Sequence, residues 1–174
     1  MNLFNKGILF AGLFSTIFSS FAMVAEGHAE GSAEILGQVS SAIYLKECGA
    51  CHLAYQPQFL PKRSWEKIMG ALDTHFGDNA ALDEATRAEI LAYVVKNSAE
   101  TSSAKVSRKI LASLGSTEVP LRITETSYFK RKHREVRAEV FKRKSIGSPA
   151  NCGGCHVTAA KGDYDENKVK IPKN

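Results

Sequence analysis

The chain has 174 residues, 44% of them apolar and 24% charged, with a formal net charge of +5. That balance is ordinary for a soluble globular protein and excludes collagen-like, low-complexity and multi-span membrane classes. Five of the nine Phe (Phe4, Phe10, Phe14, Phe18 and Phe21) lie near the N-terminus. The roughly 145 residues beyond them can bury about two-thirds of their surface, but they hold only four Phe and one Trp to fill a core.

In chain order, the first element is a leader. Lys6 is the sole charge before Glu26, and Ile8 to Ala25 is uncharged. Small residues follow, allowing cleavage after Gly27 or after Ala29, so residues 1–29 read as a secretory signal peptide. The competing reading is an uncleaved single-span anchor, because this uncharged stretch of 18 residues just reaches the spanning limit. No second hydrophobic stretch exists, so the mature protein is expected to lack a membrane span. The short leader and the chemistry below point to a bacterial periplasm.

The rest reads as all-α. Residues 30–100 form a first helical unit and residues 101–174 a loop-rich, partly helical second one. Ile35, Leu36, Val39, Ile43 and Tyr44 at helical spacing predict a helix running into Cys48. Pro57 and Pro61 break the chain after it. Ser64 is the expected N-cap of a helix from Trp65 to His75. Asp83 caps a third helix, expected to bury Ala88, Leu91, Ala92 and Val95. Val106 to Leu114 is a fourth, stopped by Gly115. Thr124 to Lys144 has a helical pattern but is heavily basic. Ser148-Pro149 suggests a cap and first-turn proline for a short helix carrying the last cysteines, and the polar tail from Gly162 is expected to wrap that segment.

All four cysteines fall into one repeated pattern: Cys48-Gly49-Ala50-Cys51-His52 and Cys152-Gly153-Gly154-Cys155-His156. C-x-x-C-H is the attachment signature of c-type haem. Two thiols one helical turn apart reach the two vinyl groups of one porphyrin, and the adjacent imidazole takes the proximal side of the iron. Structural disulfides suit an exported chain but do not require the His. A Cys-x-x-Cys redox site needs a βαβ context that is missing here. A zinc site rarely separates its two cysteine pairs so widely. Two covalent haem c groups are therefore expected.

The histidines then account for the remaining coordination. Of five, His28 lies at the leader boundary and His52 and His156 are proximal ligands, leaving His75 and His133 for the two sixth positions. Met69 is the only Met beyond the leader, and it sits on an apolar helix stripe with Trp65, Ile68 and Leu72, which marks it as core. His75 lies 23 residues after His52, and His133 lies 23 before His156. The simplest pairing is local; a crossed pairing remains open.

These stretches resemble a known family. Residues 34–98 look like a class I cytochrome c, with a helix into the haem motif, a Pro-containing loop and a final amphipathic helix, except that His75 stands where that family has a Met ligand. The chain from about 34 to 172 is similar to the exported bacterial dihaem cytochrome c family, in both motifs and in Leu60 to Trp65, His75 to Ala80, Arg122 to Glu125 and Ser148 to Asn151. The resemblance implies two bis-histidine haems and electron transfer. Relatives are linked with membrane cytochromes and a small oxygen-binding cytochrome, implying a membrane cytochrome donor and a small soluble haem protein acceptor.

The expected function is a low-potential electron relay between redox partners, not an enzyme. Imidazole in place of thioether lowers the potential, and four filled axial positions leave no substrate site. The alternatives, a small peroxidase-like dihaem enzyme and a ligand-binding haem sensor, each need one open iron. The eight cations between Lys130 and Lys144 suit either a solvated face or a docking patch for an acidic redox partner. Nucleic acid is not an expected partner of an exported haem protein.

Overall fold

Residues 35–173 are described by a computed structural model; the expected leader 1–29, with His28, lies outside them. Among the described residues there are six α-helices, α1 (Ala42–Cys48), α2 (Lys62–Met69), α3 (Glu84–Lys96), α4 (Lys105–Ser113), α5 (Ser127–Lys132) and α6 (Ala138–Phe141), joined by short 3-10 turns. No strand forms there, only isolated bridges at Ile35–Asp163 and His75–Asp78. The all-α expectation holds. The described residues cluster as one compact unit.

Several boundaries differ from the sequence expectation, each for a local reason. The first helix begins at Ala42, not near Ile35. Ser41 caps it, accepting from the Tyr44 N–H. The preceding segment is held elsewhere: Gly37 has φ +78, and the Leu36 N–H donates to the Gly162 carbonyl at 2.8 Å. α2 starts three residues earlier than expected, with Pro61 at the cap position. Its carbonyl accepts from the Ser64 N–H at 2.9 Å, and Ser64 is buried inside the helix instead of capping it. α2 also stops at Met69, and His75 follows a separate 3-10 turn, Leu72–Thr74.

On α3, Asp83 caps as expected, its carboxylate accepting from the Thr86 N–H at 3.0 Å. The buried face is rotated from the expected one: Ile90 and Val94 are fully enclosed, while Ala88 and Ala92 face solvent. The larger branched side chains bury more apolar area than alanine. Thr124 to Lys144 is not one helix. Thr126 caps α5, which ends at Lys132, and the chain resumes helix only at α6. Crowded like charges oppose a continuous helix there. Nor does Ser148 open the last haem-motif segment. Asn151 caps the 3-10 turn Cys152–Gly154 with its side-chain oxygen on the Gly154 N–H.

The core lies among α1, α2 and α3. Tyr44, Leu60, Trp65, Met69, Ile90 and Val94 pack there, which confirms Met69 as a core residue. The Trp65 indole N–H donates to the Pro57 carbonyl at 2.8 Å, satisfying its one buried donor. α4 adds Val106 and Ile110 against the Pro57–Phe59 and Ala99–Thr101 turns.

Candidate functional site

The first cysteine motif leaves the end of α1. Cys48 is its last residue, and Gly49 follows with its N–H on the Leu45 carbonyl. A side chain at Gly49 would collide with that carbonyl oxygen, so glycine lets the chain turn into Ala50, Cys51 and His52. The His52 ring stacks on Tyr55 with centroids 4.9 Å apart and planes 18° from parallel. The His75 ring lies 6.2 Å from His52, again near parallel. His75 is held on a bridge in which its carbonyl accepts from the Asp78 N–H at 3.0 Å. The loop passes through Phe76 at φ +55 and Gly77 at φ +106. A positive φ strains a non-glycine residue, and the Arg122 guanidinium, 3.9 Å above the Phe76 ring, helps to hold it.

The second motif is built on turns. His156 donates its N–H to the Cys152 carbonyl at 2.8 Å. His133 is the C-cap of α5, stacked on Phe129 at 3.9 Å, with Nδ1 at 3.0 Å from the Phe129 carbonyl. That contact makes Nδ1 the protonated nitrogen and leaves Nε2 with a free lone pair. The His133 and His156 rings stand 6.1 Å apart at 77°. The tail is tied to this region: the Lys170 N–H donates to the Cys155 carbonyl at 2.9 Å, and the half-buried Arg143 donates to the Pro172 carbonyl.

None of the four cysteines is joined in a disulfide. Burial pushes Cys48 and Cys152 up to about 11 and raises Cys155 against the opposing charge of Arg143. Burial likewise holds His75, His133 and His156 below the usual imidazole range. At His75 the neighbouring His52 and Arg122 add to it against Asp78, and at His156 His133 adds to it. At His133 the hydrogen bond to Phe129 opposes the shift. Burial thus favours the neutral form of these three rings, the form that binds metal.

The structure thus brings together His52 with His75 and His133 with His156, each pair beside its own cysteine pair. A metal–imidazole bond is about 2.0 Å, so two imidazoles on opposite sides of one ion have ring centres about 6 Å apart. Both pairs have that spacing, and two thiols with two imidazoles are a donor set that fits a covalently held iron porphyrin. Sequence reasoning missed Tyr55, Gln56 and Tyr164 around these pairs. The Tyr55 hydroxyl donates to the Ala150 carbonyl at 2.8 Å, Tyr164 lies 5.4 Å from the His156 ring, and burial raises Tyr55 to about 12. No local pattern marks the contacts of Tyr55 with Ala150 and of Gln56 with Ala159 and Tyr164, because each joins residues about a hundred positions apart.

Comparison with known proteins gives concordant results. The family model for dihaem cytochrome c matches residues 44–164. Among solved structures, the chain is similar to a diheme cytochrome c from Rhodobacter sphaeroides, at 41% identity over 74% of this chain and 99% of that one, with a TM-score of 0.66. It is also similar to a diheme cytochrome type c from Shewanella baltica OS155, at 36% identity over 76% of this chain and 93% of that one, with a TM-score of 0.62. A comparison with curated proteins finds no match.

Proposed function

We propose, because this chain belongs to the dihaem cytochrome c family, that it is an exported, low-potential electron relay whose two irons are each closed by two histidines. As a member of that family it carries two covalently bound haem c groups and takes part in electron transfer with redox partners. Each haem iron, when bound, takes up and releases one electron. Cys48 and Cys51 would hold the first group and Cys152 and Cys155 the second, through thioether bonds. His52 and His75 would ligate the iron of the first, and His133 and His156 that of the second.

The observation that carries this reading is the ring spacing of 6.2 and 6.1 Å in two separate pairs. It supports local over crossed pairing, and it favours a carrier over a peroxidase-like enzyme or a sensor, both of which need a displaced ligand. Two imidazoles without a thioether favour the oxidised iron, hence low potentials. Residues 30–100 serve the first haem and 101–174 the second. The packing of α1, which leads into the first motif, against α3 supports a class I cytochrome c-like arrangement of the first part. The leader pattern of residues 1–29 supports the periplasm, and no helix among the described residues is long and apolar enough to cross a membrane.

The pairing is tested by potentiometry. His75→Met should raise the potential of the haem on Cys48 and Cys51 and leave the other nearly unchanged, and His133→Met should do the converse. A shift of the opposite haem in either variant contradicts local pairing.

The basic segment favours an acidic partner at the second haem. Lys132 pairs with Glu166, Arg134 with Glu135 and Arg137 with Glu139, while Lys130, Lys142 and Lys144 stand exposed around them. Exposed Val157 and Ile171 add apolar contacts next to His156 and the tail. Such a surface speeds encounter with anions by about 10- to 1000-fold at low salt. Oxidation by hexacyanoferrate(III) should therefore slow steeply with added salt, and Lys130→Glu with Lys142→Glu and Lys144→Glu should flatten that dependence. Arg143 is unsuitable for this test because it anchors the tail. An unchanged salt slope in the triple variant would mean that the face is merely solvated.

A further inference from the structure

The two histidine pairs are joined by a short polar strap. Tyr55 and Gln56 follow the first motif after Leu53 and Ala54, and both reach the region of the second. The Tyr55 ring stacks on His52, and its hydroxyl donates to the Ala150 carbonyl at 2.8 Å, the same carbonyl that accepts from the Cys152 N–H at 3.0 Å. Gln56, fully buried, donates from Nε2 to the Ala159 carbonyl at 2.9 Å and accepts on Oε1 from the Tyr164 hydroxyl at 2.6 Å. Tyr164 in turn lies 5.4 Å from the His156 ring. The Tyr44 hydroxyl donates to the Tyr55 carbonyl at 2.9 Å, which fixes the strap to the core. An aromatic and hydrogen-bonded line therefore runs from His52 to Cys152 through Tyr55, and a second from Gln56 to His156 through Tyr164.

A buried tyrosine commonly serves only to fill a core with its hydroxyl satisfied. Tyr55 differs in what its two ends touch: its face lies on one expected axial ligand and its hydroxyl on the backbone that carries the other cysteine pair. We propose that Tyr55 couples the two haems, fixing the register of the second motif against His52 and carrying the electron exchange between them. The inference rests on the ligand assignment above. The step is a bare electron exchange: one electron leaves the reduced iron and reduces the oxidised iron, no bond forms or breaks, and no proton moves. Tyr55 and Tyr164 stay neutral phenols throughout and are not oxidised. Tyr55 is thus a positioning and coupling residue, not a redox centre.

The test uses the holo-protein and three variants. Tyr55→Phe keeps the ring and deletes the bond to Ala150; Tyr55→Leu deletes both. Tyr93→Phe is the control: it keeps the ring against Tyr44 and deletes only a hydroxyl that accepts from the Ser40 N–H. Haem content, low-spin absorption spectra and melting temperature are measured first, then electron equilibration between the haems after flash reduction of a single equivalent. Equilibration should slow in Tyr55→Phe and slow further in Tyr55→Leu, with both haems low-spin and Tyr93→Phe like the parent. Parental equilibration in Tyr55→Phe and Tyr55→Leu would overturn the proposal, as would equal slowing in Tyr93→Phe. If Tyr55→Leu fails to load both haems, Tyr55→Phe, which lacks one oxygen atom, decides alone. A high-spin or five-coordinate spectrum in the parent would instead refute the ligand assignment, which separates the two failures.

Discussion

At the first centre Cys48 closes a seven-residue α-helix, whereas at the second Cys152 opens a three-residue 3-10 turn. The same five-residue motif thus stands on two kinds of support. Behind the first lie Tyr44, Leu60, Ile90 and Val94, packed between α1, α2 and α3. Behind the second lie single hydrogen bonds delivered from elsewhere in the chain: from Tyr55 and Gln56, from the Lys170 N–H, and from Asn151 to the Ile146 carbonyl at 2.9 Å. Burial of a large aliphatic side chain contributes about 1.5–3 kcal/mol, and a typical hydrogen bond only about 0.5–1.5 kcal/mol net. The lesson is that the haem motif does not need a helix of its own. It needs its cysteines and histidine held in register, and a tail can do this once a core exists nearby.

Three substitutions sharpen that contrast. Ile90→Ala removes the centre of the helical core and should cost about 2–5 kcal/mol of global stability, read as a lower denaturation midpoint of both haem signals together. Gly162→Ala strikes where the tail meets the N-terminal segment. Gly162 has φ +72, and a side chain there would press into the Gly37 backbone. Strain of this kind costs about 1–3 kcal/mol, and it should loosen the second centre before the first in hydrogen exchange. Asn151→Ala removes the cap of the Cys152–Gly154 turn at about 0.5–2 kcal/mol, and its effect should be confined to amides of the second motif. Equal protection loss at α3 and at residues 151–156 in this last variant would erase the distinction between the two supports.

The contrast also explains what could be read from the sequence. Both motifs are legible because thioether chemistry demands contiguous residues; His75 and His133 enter by elimination among few histidines, and their proposed role as ligands is supported by the ring spacings. Met69 was assigned to the core from its helix stripe, and Asp83 and Val106 gave their helices correctly. Where sequence reading strayed, tertiary contacts override local pattern. Ile35 and Leu36 look helical but are drawn to Gly162 and Asp163. Ala88 and Ala92 share an apolar face with Leu91 and Val95, yet Ile90 and Val94 win the interior. Lys130 to Lys144 has helical spacing, but with Val136 and Val140 only half-buried it lacks an apolar stripe strong enough to outweigh its cations. The strap from Tyr55 and Gln56 had no signature at all, since its partners Ala150, Ala159 and Tyr164 lie 95, 103 and 108 residues away.

The central claim is that His75 and His133 close the two irons beside their own motifs. Carbon monoxide tests it most directly, since it binds reduced haem iron only at an open or displaceable position. The dithionite-reduced holo-protein should give no carbon monoxide difference band in the Soret region while both haems remain low-spin. His75→Ala should then open the first haem alone, and His133→Ala the second. A band from the parent protein corresponding to one haem or both would contradict the four-histidine assignment and favour an enzyme or a sensor.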